Sequence, residues 1–231
     1  MKEERTFDPI WEDIYRRGDH LNRYPWDLVV SFVYCYAPRG KSRSEIRVLE
    51  VGCGAGSNLW FAAREGFDVA GVDCSESAIA FARERFASEG LAGDLRVGDF
   101  TQLPFESDSF DLAIDRAAIT CCGLSAGARA VADVRRVLRP GGDFLFNAYS
   151  DHHTSHMSGT PGPDGLTVDI NGGTLVGAGQ LCFYGRRDID ALFSEGWNVL
   201  SVQHTESVEE LGDDRSIHAE WRVIAEKVEA R

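Results

Sequence analysis

The segment Leu49-Glu50-Val51-Gly52-Cys53-Gly54-Ala55-Gly56-Ser57 constrains this chain more than any other. An apolar run, Ile46 to Val51, leads into it, and a helix-like stretch, Asn58 to Glu65, leads out. Strand, glycine turn and helix in that order are how an open α/β sheet brings bare backbone up to a ligand. Glycine takes positive φ without a Cβ clash, at an entropic cost that other turns avoid. The design then repeats. Val69 to Asp73, Leu95 to Phe100 and Phe110 to Asp115 are further apolar runs with acidic residues at or near their C-terminal ends. Such a series lines one rim of a sheet with carboxylates and describes a polar pocket there.

The 231 residues suffice for one α/β domain, spanning 1–231. Apolar runs too short for a bilayer, and a charged start from Met1 to Asp13, lead us to expect a cytoplasmic protein without a membrane partner. A net charge of −13 disfavours a phosphate backbone, so nucleic acid is not an expected partner. The cysteines at 35, 53, 74, 121, 122 and 182 form no Cys-x-x-Cys pair and read as reduced thiols.

Helical periodicity marks Ser77 to Phe86, with Ile79, Ala82 and Phe86 on one face, and Gly127 to Leu138, with Val131, Val134 and Leu138. The second stops at Arg139-Pro140-Gly141-Gly142, which turns into a fifth strand, Asp143 to Tyr149. The polar, glycine-rich section 150–180 reads as an acceptor-side insertion. Asp188 to Glu195 predicts a short helix capped by Gly196. Two final strands, Trp197 to Thr205 and Ile217 to Val228, flank an acidic link. Trp11, Ile14 and Tyr15 recur at helical intervals, so residues 1–41 predict a helical extension serving as a lid. Strands alternating with helices predict an α/β, doubly wound, mostly parallel sheet.

Glu50 to Gly56, Gly71-Val72-Asp73, Gly98-Asp99-Phe100, Ser109 to Ile114 and Val137 to Gly142, in this order, resemble the motifs of the class I S-adenosylmethionine-dependent methyltransferases, of the small-molecule type. The resemblance implies a Rossmann-like seven-stranded sheet with an antiparallel last strand, and S-adenosyl-L-methionine as cofactor. It also implies roles. Gly52, Gly54 and Gly56 would let backbone approach the cofactor's amino-acid end, and Glu50 would orient that loop. Asp73, beside Cys74, would accept hydrogen bonds from the ribose hydroxyls. Asp99 would accept from the adenine amino group, with Phe100 as an apolar wall. Asp115 and Arg116 would lie nearest the reacting methyl. On this reading Asp73→Ala weakens cofactor binding and leaves the stability of the ligand-free protein unchanged.

Ligands of open α/β sheets bind outside the carboxyl ends of the strands, which brings the 150–180 section, His204 and His218 into range. Among the histidines, His153 and His152 are the candidate bases, with Asp115 a further catalytic candidate. Tyr24 and Trp26 offer aromatic surface able to cover a sulfonium. His152 and His156 have i, i+4 spacing, but Ser, Gly and Pro around them argue for a loop, and no metal is expected. The expected reaction is methyl transfer to an O or N atom of a small metabolite or sugar, with a homodimer as candidate assembly. The alternatives are a nicotinamide-dependent oxidoreductase, which the early third glycine disfavours, and a non-catalytic module that only binds the cofactor.

Overall fold

The computed structural model describes residues 8–211 and 215–229; residues 1–7 of the expected lid lie outside them. Helices α1 (Ile10–Arg17) and α2 (Asp27–Tyr36) precede the sheet. Then strands and helices alternate: β1 (Arg47–Val51), α3 (Ser57–Arg64), β2 (Asp68–Asp73), α4 (Glu76–Ser88), β3 (Asp94–Val97), β4 (Phe110–Arg116), α5 (Leu124–Val137) and β5 (Leu138–Tyr149). A short helix, α6 (Thr154–Met157), and three small strands, β6 (Thr160–Pro161), β7 (Leu166–Val168) and β8 (Leu181–Cys182), fill the section that follows. Helix α7 (Arg186–Leu192) and strands β9 (Trp197–Val208) and β10 (Ile217–Lys227) close the chain.

The seven-stranded sheet has the order β3-β2-β1-β4-β5-β10-β9. Strand β1 pairs in parallel with β2 and β4, while β10 runs antiparallel between β5 and β9. The expected doubly wound sheet with an antiparallel last strand is therefore observed. Because side chains alternate across a strand, each strand feeds two cores. Leu49, Ala113, Phe144 and Phe146 face α5 and α7, whereas Val48, Leu112, Ile114 and Leu145 face α2, α3 and α4. Both faces being covered explains the near-continuous apolar runs.

The structure differs from the sequence reading at several places. Strand β5 begins at Leu138, which pairs with Phe110; Arg139-Pro140-Gly141-Gly142 then bulge out of register before pairing resumes between Leu112 and Asp143. Helix α7 ends at Leu192 with Phe193 at its cap, so Gly196, at φ +75°, forms the turn into β9 and not a helix cap. The 150–180 section is not a plain loop: β6, β7 and β8 form an antiparallel sheet of their own.

Candidate active site

The crossover between β1 and β4, where neighbouring connections leave for opposite faces, opens a cavity of about 690 Å³ at the carboxyl rim. Its floor is the glycine turn. Gly52 and Gly54 adopt φ +62° and +50°. A Cβ on Gly52 would strike Ala118, and one on Gly54 would strike the Tyr15 hydroxyl. The backbone here is bare because both its conformation and its neighbours leave no room for a side chain.

Asp73, at the end of β2, holds that turn in place. Its Oδ2 accepts the Gly54 N–H at 2.8 Å and its Oδ1 accepts the Ser75 N–H at 2.8 Å. Glu50, at the end of β1, accepts from Asn58 Nδ2 through Oε1 at 2.6 Å, and Asn58 Oδ1 in turn accepts the Trp26 N–H at 3.0 Å. Asp115 lies behind the wall, where Oδ1 accepts the N–H groups of Ala118 and Ile119. Glu50 Oε2 and Asp115 Oδ2 have no hydrogen-bond partner among the described residues. Burial raises the pKa of all three carboxylates, Glu50 to about 8 and Asp115 to about 7. Buried acids with spare lone pairs beside bare backbone suit a ligand that brings positive charge and hydrogen-bond donors, as a sulfonium amino acid does.

Helix α1 roofs the cavity. Trp11, Ile14 and Tyr15 face inward, and Glu12 on its flank accepts hydrogen bonds from Ser75 Oγ and Ser77 Oγ, both at 2.6 Å. Those bonds hold the Glu12 carboxyl down at about 2. Asp8, before the helix, accepts the Gln180 N–H at 3.1 Å and ties the roof to the segment after Thr174.

The acceptor side is lined by Arg116, Tyr149, His218 and residues 174–178. His153 stands behind it, fully buried. Its Nδ1 accepts the Ser155 N–H at 2.9 Å, so the neutral ring carries its proton on Nε2. That nitrogen is 3.1 Å from His218 Nδ1 and 3.2 Å from Thr174 Oγ1, and His218 Nδ1 is 2.8 Å from the same hydroxyl. His218 Nδ1, His153 Nε2 and the Thr174 hydroxyl thus form one hydrogen-bonded network. Burial lowers the pKa of both rings, that of His153 to about 4, so both are neutral at pH 7.

Of the residues selected from sequence, Glu50, Gly52, Gly54, Asp73, Cys74, Phe100, Arg116 and Trp26 line this one cavity. Gly56 instead starts α3 in the left-handed conformation and packs on Ala82. Asp99 folds its own loop, with Oδ1 accepting the Thr101 N–H and hydroxyl, both at 2.7 Å. Tyr24 points to solvent at 69% exposure. The Trp26 ring is covered by the Arg116 guanidinium at 4.1 Å, so its cation is a side chain of the protein itself. His152 lies at the surface against Glu206, and His153 is sealed behind His218; neither stands on the cavity wall. Tyr15, Asn58 and Tyr149 carried no sequence signal beyond helical spacing or strand position.

A model of the methyltransferase domain family matches residues 48–142. The chain is 33% identical over 129 residues to a malonyl-acyl-carrier-protein O-methyltransferase of Erwinia pyrifoliae, covering 54% of this chain and 46% of that one. It is 37% identical over 102 residues to a phthiotriol/phenolphthiotriol dimycocerosates methyltransferase of Mycobacterium ulcerans, covering 43% and 36%. The chain thus spans less than half the length of either relative. Its fold matches that of a SAM-dependent methyltransferase from Methanosarcina mazei with a TM-score of 0.70 at 19% identity, over 90% of this chain and all of that one. The ordered motifs, the sheet and the glycine-floored cavity agree with these matches: residues 48–142 carry a methyltransferase domain, similar to those of S-adenosylmethionine-dependent enzymes.

Proposed function

We propose that this protein transfers a methyl group to an oxygen of a small molecule that is already anionic at neutral pH, a carboxylate or an acidic phenol. The observation that carries the oxygen-anion reading is how His218 Nδ1 is engaged. A base facing the cavity would need a free lone pair, but His218 Nδ1 is already engaged by His153 Nε2 at 3.1 Å and by the Thr174 hydroxyl at 2.8 Å. With Arg116 and the Tyr149 hydroxyl on the same wall, the acceptor side offers hydrogen-bond donors, which suit an anionic oxygen. An ionised nucleophile needs no base. This replaces the expectation that His152 or His153 removes a proton. The similarity to an enzyme named as an O-methyltransferase points the same way.

The bound cofactor supplies a methyl group already activated by positive sulfur. The protein's part is placement and exclusion of water. Gly52 and Gly54 present bare backbone, and Glu50 offers its unpartnered oxygen to a positive group. Asp73 keeps lone pairs for ribose hydroxyls beyond those that Gly54 and Ser75 use, and Phe100 supplies the apolar wall for the adenine. Helix α1 and residues 174–178 close over both ligands. The chain's acidity leaves nucleic acid outside the proposal.

The experiment is incubation of the purified protein with methyl-tritiated S-adenosylmethionine and a desalted metabolite extract, followed by alkali. A methyl ester releases volatile tritiated methanol, whereas a phenol ether or methylamine does not. Volatile label or an aryl ether supports the proposal. Label recovered only as methylamine overturns the oxygen assignment, and absence of cofactor binding by calorimetry overturns the enzyme reading.

A further inference from the structure

Beyond the cavity, the same rim carries a cluster that methyl transfer does not use. His204 and Glu206 are two residues apart on β9 and so project from one face of the strand. His152 reaches them from the turn after β5. Their ligand atoms all lie within 4.8 Å of one another. His152 Nδ1 is 2.6 Å from Glu206 Oε1, and His204 Nδ1 is 3.7 Å from the same oxygen. Ligands around a tetrahedral zinc at about 2.0–2.1 Å stand roughly 3.3 Å apart, so small side-chain rotations admit an ion.

The surroundings already hold the rings for one. Ser150 Oγ accepts the His152 N–H at 3.2 Å and lies 3.2 Å from Asp151 Oδ1. His204 Nε2 lies 2.7 Å from the same hydroxyl. With that outer nitrogen engaged, Nδ1 is the nitrogen turned to the Glu206 carboxylate. A metal-bound histidine is set in the same way, by a hydrogen bond from its outer nitrogen. The His204 ring is further held against Trp221, with centroids 4.3 Å apart.

We propose that His152, His204 and Glu206 bind one divalent ion of the zinc class, with water completing the coordination. Binding displaces the proton shared by His152 Nδ1 and Glu206 and forms three metal–ligand bonds without redox change. It staples the turn bearing His152 and His153 to β9. His152 lies 54 positions from Glu206, and so the short His152–His156 spacing did not reveal the cluster.

The test is titration of the chelator-treated full chain with zinc chloride by calorimetry, and with cobalt(II) chloride by visible absorption. Expected are one ion per chain, a loss of at least tenfold in affinity in each of His204→Ala and Glu206→Gln, and cobalt d–d bands without thiolate charge transfer. Circular dichroism confirms that the variants are folded, and His152→Ala gives a third reading should one of them fail to fold. No stoichiometric binding, binding indifferent to these substitutions, or a thiolate band assigning the ion to the cysteines overturns the proposal.

Discussion

Asp73 ties the glycine turn and the start of α4 together on the cavity wall. The sequence reading treats it as a ribose acceptor whose loss leaves the ligand-free protein untouched. Its two bonds to the Gly54 and Ser75 N–H groups revise that expectation. Asp73→Asn should weaken cofactor binding by calorimetry and also lower the ligand-free stability by about 1–3 kcal/mol, the cost of leaving buried donors unpaired. Glu50 makes a second prediction. Its pKa rises from 4.5 to about 8 in the folded chain, so the folded state holds a proton that the unfolded chain releases. Its contribution to stability is therefore greatest at low pH and falls as pH rises through 4.5 to about 8. A cationic ligand beside it reverses the preference. Cofactor binding at pH 7 should release a proton, measured as a buffer-dependent calorimetric enthalpy, and Glu50→Gln should abolish that release.

At the scale of elements, α1 matters most, because an eight-residue helix with no fully buried side chain is held by its contacts alone. Glu12 is its clamp, accepting at the start of α4 where a helix favours negative charge. Glu12→Gln should loosen the helix by about 1 kcal/mol, the size of a lost cap. Faster proteolysis between α1 and α2 would report it. The carboxyl is depressed from 4.5 to about 2, so the clamp is complete above pH 4.5 and weakens as pH falls toward 2. Gly54→Ala tests the same roof from below: the new methyl meets the Tyr15 hydroxyl at positive φ, so α1 must lift or the turn must shift. The expected outcome is lost cofactor binding with the sheet's circular dichroism retained.

For the whole molecule, stability rests on two cores that share one sheet. Phe144 is fully buried and meets Phe146, Phe193 and Trp197, joining β5 to the segment between α7 and β9. Phe144→Ala should cost about 3–5 kcal/mol, lowering the urea midpoint at unchanged slope. The antiparallel β10 has a consequence beyond packing. It enters at the rim where the parallel strands end, so His218 meets His153, a residue 65 positions earlier. That pairing engages Nδ1 of a histidine on the cavity wall.

The alternation of apolar runs and helical faces, the ordered motifs and the positive-φ glycines were local signals, and they were enough to determine the sheet, its winding and many of the residues that line the cavity. A strand's pattern reports its own burial, and Gly52 or Gly54 reports its own backbone. What those signals do not encode is which side chains meet across the chain. Only the tertiary structure placed Tyr15 on Gly54, Arg116 on Trp26, His153 behind His218 and His152 beside Glu206. The physical reason is that a proton's position and a buried acid's charge depend on partners brought together by packing, from segments that carry no mark of each other in sequence.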